Sequence, residues 1–299
     1  MKIIFIVKPP PKKDYLKEVL KLKNQFEVSQ EFTKKEGPQN ARNLAKKAIE
    51  EGFERIIFVG GDGLINEGVN GIMAAVKEKE ISFDLTLGII PTGAGNNFAK
   101  ELGIPKKIKK AFEIIKKNKT TLVDIGKVND NFFVNCLSFG FDALVNDLAN
   151  KIKTKYPFLP KEGSYLFAAL KEILFKIPLF EIGIKSEKKD FRGQLVLVSI
   201  TNGSSYGGIF KINPGASIND GKFNICFIRE VGKLRAFFDI YKVIRGTHAN
   251  LPEVGTMESS FLIISSPQPL PYEIDGEVLL PEKQYQVCVL PKKLKILTP

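Results

Sequence analysis

Short apolar runs alternate with amphipathic stretches through the first third of the chain: KIIFIV, DYLKEVLKLKNQ, FEVSQEFT, PQNARNLAKKAIEEG, RIIFVGGDG, LINEGVNGIMAAVKEK and DLTLGIIP. Brief apolar runs closed by Gly or Pro read as buried strands, and apolar positions three and four apart read as helices. Strand and helix in turn imply βαβ crossovers, so this region is predicted to be an N-terminal parallel-sheet α/β domain with helices on both faces. Ligands of such sheets bind at the carboxyl ends of the strands.

After about Thr120 the pattern changes to strand after strand, in VDIGKVNDNFFVNCLSF, PLFEIGIKSEKKDFRGQLVLVSITN, GKFNICFIRE, SSFLIISS and YQVCVL. Period-two alternation with Gly, Asn and Asp turns predicts an antiparallel β-sandwich. Helical patterns interrupt it at DALVNDLANKIK, SYLFAALKEILFK and KLRAFFDIYKVIRG. The expected division is 1–122 for the α/β domain and 123–285 for the sandwich, with 286–299 packing back on the first domain.

Composition narrows the class. With 299 residues, 43% of them hydrophobic, the chain can bury substantial cores, and no apolar run approaches the ~20 residues of a membrane span. The N-terminal apolar patch is too short for a signal peptide and is read as a first strand. Cys136, Cys226 and Cys288 are widely spaced among apolar neighbours, which suits buried thiols in a reducing, cytoplasmic compartment. A net charge of +12 favours anionic partners such as nucleotides or an acidic membrane surface. No aromatic-interleaved basic motif or metal-finger spacing points to nucleic acid.

The chemistry concentrates in two glycine-rich turns. FVGGDGLINEGVNG ends one strand and opens a helix, and LGIIPTGAGNNFAKELGIP does so after the next. Glycines permit close approach to the main chain, and a helix N-terminus favours phosphate. The spacing is neither GxGxxG nor GxxxxGK[ST]. Two such turns on successive parallel strands are expected side by side, with Asn96 or Asn97 capping a helix that starts at Phe98.

GGDGLINEGVNGI, PTGAGNNFAKELGIP, GFDALV, NGSSYGGIFKINPGASINDGKF and YEIDGE, in this order over almost the whole chain, resemble the diacylglycerol kinase catalytic-domain family, which includes bacterial lipid kinases and sphingosine and ceramide kinases. The resemblance implies an ATP-binding α/β domain related to that of NAD kinases, then a β-sandwich with the lipid site near the cleft. It implies ATP and Mg²⁺ as cofactors and a long-chain lipid hydroxyl as acceptor. The implied nucleotide contacts are Thr33; Gly60, Gly61, Asp62, Gly63, Leu64, Ile65 and Asn66 in the first loop; and Gly93, Ala94, Gly95 and Asn96 in the second. Leu64 stands where bacterial members usually carry threonine, and sphingosine kinases resemble this chain in having leucine there. Ala94 and Asn97 depart from the usual GTGND or GTAND, and IVKPPPKKD replaces the usual Asn-Pro-x-x-Gly.

Phosphoryl transfer needs positioning, charge compensation and a carboxylate for the attacking hydroxyl. Glu277 of IDGE matches the family's general base, Asp62 is the alternative base, and Asp124 resembles a third acid that helps hold Mg²⁺. A structural magnesium site is implied around Ser217, Asp220 and Lys222, with main-chain carbonyls contributing, since an ammonium cannot ligate a hard cation. Asp220-Gly221 and Asp275-Gly276 also read as hairpin turns. His248 is the single histidine and is read as structural. Alanine at Asp62 is expected to abolish activity while leaving the fold intact. A non-catalytic nucleotide or lipid sensor and an NAD kinase stay open as alternatives. The stretch PKEGSYLFAALKEILFKIPLF forms an amphipathic helix whose apolar face, Tyr165, Leu166, Ala169, Leu170, Ile173 and Leu174, either packs on the sandwich or borders the acyl site. In the second case, with the basic surface, it gives peripheral, salt-sensitive contact with anionic membrane. A homodimer is left open.

Overall fold

In this computed structural model the described residues are 1–9, 13–24, 26–34, 40–79, 85–156, 158–159 and 161–299. Contacts divide the chain into two units, Met1–Val123 with Lys292–Pro299, and Asp124–Pro291.

The first unit follows the alternating pattern: β1 (Lys2–Val7), α1 (Lys13–Lys23), β2 (Glu27–Phe32), α2 (Asn40–Glu50), β3 (Arg55–Gly60), α3 (Asp62–Lys79), β4 (Thr86–Pro91), α4 (Asn97–Glu101) and α5 (Ile108–Lys117). Its strands pair in parallel, β2 with β1, β1 with β3 and β3 with β4. The chain's last strand adds Lys295 and Ile296 in parallel beside β4. β3 and β4 are buried along their whole length, as strands covered on both faces must be. On one side Phe5, Tyr15 and Phe112 pack as an aromatic cluster that ties α1 and α5 to β1.

β5 (Thr120–Val128) leads from the first unit into the second. There follow β6 (Asn131–Phe133), β7 (Cys136–Gly140), α6 (Phe141–Lys155), α7 (Lys161–Phe175), β8 (Phe180–Ser186), β9 (Phe191–Thr201), β10 (Phe223–Arg229), α8 (Lys233–Arg245), β11 (Val254–Ser259), β12 (Phe261–Ile274) and β13 (Glu277–Leu297). Pairing among β7 to β12, and of β12 with β13, is antiparallel. β9 pairs both β7 and β8, and so does β12, so the sheet folds round on itself. Phe139, Leu195, Val198, Leu262, Tyr272 and Tyr285 fill the enclosed core. A second apolar cluster lies between α6, α7 and α8 and the strands, with Val145, Ala168, Ile173, Val196 and Phe210. Among the described residues no helix is long and apolar enough to cross a membrane.

Candidate active site

In the first unit, β3 ends at Gly60 and only Gly61 separates it from α3; opposite it β4 ends at Pro91, in register with Gly60. Both loops therefore leave the same edge of the sheet. The amides of Thr92 and Gly93 donate to the Gly60 carbonyl at 2.9 and 3.3 Å. A Cβ on Gly93 would lie 2.5 Å from Gly61 Cα, closer than real contacts allow. The glycines here serve close backbone approach, since none of Gly60, Gly61, Gly63, Gly93 and Gly95 has positive φ. Two other glycines of the stretch serve helix packing: Gly68 faces the Phe58 ring, and Gly71 faces the Arg42 carbonyl of α2.

The expected cap of the short helix α4 is replaced by another. α4 begins at Asn97 rather than Phe98, and Asn96 adopts a left-handed backbone, φ 51°, with no side-chain cap bond. Asp62 supplies the acceptors instead, one oxygen taking the Asn97 amide at 3.0 Å and the other the Phe98 amide at 3.1 Å. The carboxylate is buried, and Gly95 leaves room for it. Both of its oxygens are thus engaged by main-chain N–H groups, so Asp62 clamps one loop to the other. Asn96 Nδ2 donates to the Gly93 carbonyl at 2.6 Å. That leaves Asn96 Oδ1 and Asn97 Oδ1 buried without a partner, two acceptors that a ligand's donors would satisfy. Leu64 packs back over Gly60, and Asn66 accepts from Asn70 Nδ2 within α3. Thr33 follows β2 at the same sheet edge, its amide and hydroxyl both donating to the Val7 carbonyl. Its alternative reading as a helix cap concerns residues 35–39, outside the described residues.

In the second unit, Asp124 is fully buried. Its Oδ2 accepts the Gly221 amide at 2.7 Å, and its own amide donates to Ile218 at 2.7 Å. Asp124 therefore braces the turn that carries Ser217, Asp220 and Lys222. In that turn Ser217 Oγ donates to Asn219 Oδ1, Asp220 Oδ1 accepts the Lys222 amide, and Lys222 Nζ pairs with Glu258. Ser217 Oγ, the second Asp220 oxygen and main-chain carbonyls are the oxygens it offers a hard cation. No group of three His, Cys, Asp or Glu placed to hold a metal ion occurs among the described residues.

The β12–β13 hairpin turns at Asp275 and Gly276, with φ 48° and 94°, as a two-residue primed turn requires. The Asp275 carboxylate accepts the amides of Val134, Asn135 and Cys136 at 2.8, 3.0 and 2.8 Å. Nearby, buried Glu273 accepts from Asn146 and the Gly276 amide. These two acids fix the turn, and Glu277 follows it exposed, its side chain with no hydrogen bond or ion pair to the described residues. Of the three acids singled out by sequence, only Glu277 is exposed.

A cavity of about 120 Å³ in the second unit is lined by Val145, Ala169, Ile173, Val196 and Val243. α7 contributes the buried Tyr165, Ala169 and Ile173, whereas its Leu174 is exposed. The lining also includes the buried polar groups Asp142, Tyr165 and Tyr206. Tyr165 donates its hydroxyl to Asp142. Burial raises the Asp142 carboxyl above its ordinary range and pushes both tyrosines well up. Asp142 lies within GFDALV with no sequence signal of its own, because only burial distinguishes it from a surface acid.

Residues 10–128 match the model of the diacylglycerol kinase catalytic domain. Residues 135–298 match that of the YegS C-terminal NAD kinase beta sandwich-like domain. Relatives named diacylglycerol kinase include one from Bacillus subtilis, 32% identical over 89% of this chain and 84% of its own. Another, from Staphylococcus carnosus, is 31% identical over 84% and 78%. A crystal structure of a diacylglycerol kinase from Bacillus anthracis aligns with a TM-score of 0.80 and 25% identity, covering 100% of this chain and 97% of the other. The class these matches define is a kinase, a phosphotransferase with an alcohol group as acceptor. The chain belongs to the diacylglycerol kinase catalytic-domain family.

Proposed function

We propose that this protein uses ATP and Mg²⁺ to phosphorylate a hydroxyl of diacylglycerol or a related long-chain lipid, with its parallel-stranded unit as the nucleotide-binding domain. The observation that carries the lipid reading is the apolar cavity with Asp142, Tyr165 and Tyr206 in its wall, a lining suited to acyl chains with a few polar groups to orient them.

Backbone amides of Gly60, Gly61, Asp62, Gly63, Gly93, Ala94 and Gly95 bind phosphate in this reading, with Leu64, Ile65 and Asn66 shaping the first turn of α3 and Thr33 near the base or ribose. The orphaned Asn96 and Asn97 oxygens accept from the nucleotide or its waters. Glu277 takes the proton of the lipid hydroxyl as its oxygen bonds to the γ-phosphorus, and the bond to the bridging oxygen breaks with its electrons passing to ADP. Mg²⁺ offsets charge on the phosphoryl oxygens when bound with nucleotide. A second, structural ion would be held by Ser217, Asp220 and the main chain of Lys222, in the turn that Asp124 braces. The exposed, unpartnered Glu277 favours a kinase over a sensor of the same fold. Peripheral contact with anionic membrane belongs to this reading, because the acceptor resides there. Transfer of label from ATP to a lipid panel tests it; a nucleotide-binding protein that labels no glycerolipid or sphingoid base would refute it.

A further inference from the structure

α8 carries apolar residues on two sides. Ala236, Ile240, Val243 and Ile244 pack on the cluster beneath it. Yet Leu234, Phe237, Phe238 and Tyr241, at positions i, i+3, i+4 and i+7 along the outer side, face solvent, with Leu234 75%, Phe238 67% and Tyr241 53% exposed. A surface helix ordinarily turns charge outward, and one apolar all round is ordinarily buried. α8 has no buried residue at all. Lys233 Nζ donates to the carbonyls of Leu174 and Phe175 at 3.3 and 2.7 Å. This bond holds the exposed end of α7, with Phe175 74% exposed, against the start of α8.

The face is net basic, and Arg235 is paired with Glu253 at 2.6 Å. The single acid of α8, Asp239, pairs with Arg235 and Lys242. Arg245 lies 4.6 Å over the Tyr241 ring, and Lys171 and Lys176 flank the exposed end of α7. The geometry points to α8 as a helix that lies in the surface of an anionic bilayer, its outer aromatic side and the end of α7 entering the headgroup boundary while Arg245, Lys171 and Lys176 meet lipid phosphates. A symmetric pairing of two copies through this face would oppose like charges, whereas anionic lipid complements them. The inference rests on the membrane contact of that reading and assigns it to a helix, while its test needs neither nucleotide nor turnover.

The chain contains no tryptophan, so Phe238→Trp places a single reporter on the face. With phosphatidylglycerol vesicles and no nucleotide, its emission shifts to the blue and is quenched by lipids brominated on the acyl chain. Leu234→Glu with Phe238→Glu weakens co-sedimentation with the same vesicles roughly tenfold or more, while thermal unfolding stays at the wild-type temperature. An emission spectrum unchanged by vesicles, whether or not the protein sediments with them, overturns the proposal. So does a blue shift without lipid that grows with protein concentration, because a second copy then covers the face. Loss of kinase activity bears on neither readout.

Discussion

At the scale of single residues, three carboxylates that look alike in sequence have different surroundings. Asp62 gives both oxygens and Asp124 one to main-chain amides, whereas Glu277 has none to satisfy. Glu277→Gln should lower turnover by about 10²–10⁴ with thermal stability and nucleotide affinity unchanged. Asp62→Ala should behave otherwise than the sequence alone leads one to expect. It uncaps α4 and leaves two buried amides unpaired, which costs about 1–3 kcal/mol of stability as well as activity. An alanine variant that is inactive yet fully stable would return Asp62 to the role of base. His248 gives a pH signature. It is fully buried beside Cys226, with Nε2 3.0 Å from the Ile212 carbonyl, and desolvation lowers its pKa. A depressed folded-state value means stability is complete above the unfolded value of 6.5 and falls away as pH drops through the folded one. The difference in melting temperature between wild type and His248→Gln should therefore shrink on acidification from neutrality; a constant difference would contradict this.

At the scale of elements, the two glycine loops stand or fall together. Gly93→Ala drives a Cβ into the Gly61 backbone, and Gly71→Ala drives one to 2.1 Å from the Arg42 carbonyl. Alanine ordinarily favours a helix over glycine by ~1 kcal/mol, but here both changes should lower the melting temperature. Only Gly93→Ala should also weaken nucleotide binding in a titration. Elements with uninterrupted apolar runs, such as β1, β3 and β4, were legible in the sequence because burial on both faces leaves no other reading. The long strands β12 and β13 were legible only in part. Pro267, Pro269 and Pro271 break the alternation of β12, and its register slips there, between Ser265 and Leu270 and again before Tyr272. The short β11 lies in VGTMES, where polar residues hide the period. The Asp62 cap was illegible because its partners lie 35 and 36 residues away, and no local pattern encodes that distance. The outer face of α8 was illegible for another reason: a helical wheel shows two apolar sides but not which one stays exposed.

At the scale of the whole molecule, family membership establishes a kinase, and the two units offer different groups. The first unit offers main-chain amides and two orphaned amide oxygens at one sheet edge. The second offers an apolar cavity and an exposed carboxylate after a tight hairpin turn. The +12 charge suits both an anionic cosubstrate and an anionic surface. The central claim is that these parts pass phosphate from ATP to a lipid hydroxyl, and one assay addresses it most directly. The purified chain is given γ-labelled ATP, Mg²⁺ and mixed vesicles of phosphatidylglycerol with diacylglycerol, monoacylglycerol or sphingoid base, beside the Glu277→Gln variant. The account predicts label in a long-chain lipid with the wild type, and loss of nearly all of it with a variant that still binds nucleotide and melts at the same temperature. Wild-type protein that binds ATP yet labels no lipid, or a Glu277→Gln variant that labels as fast as the wild type, would contradict it.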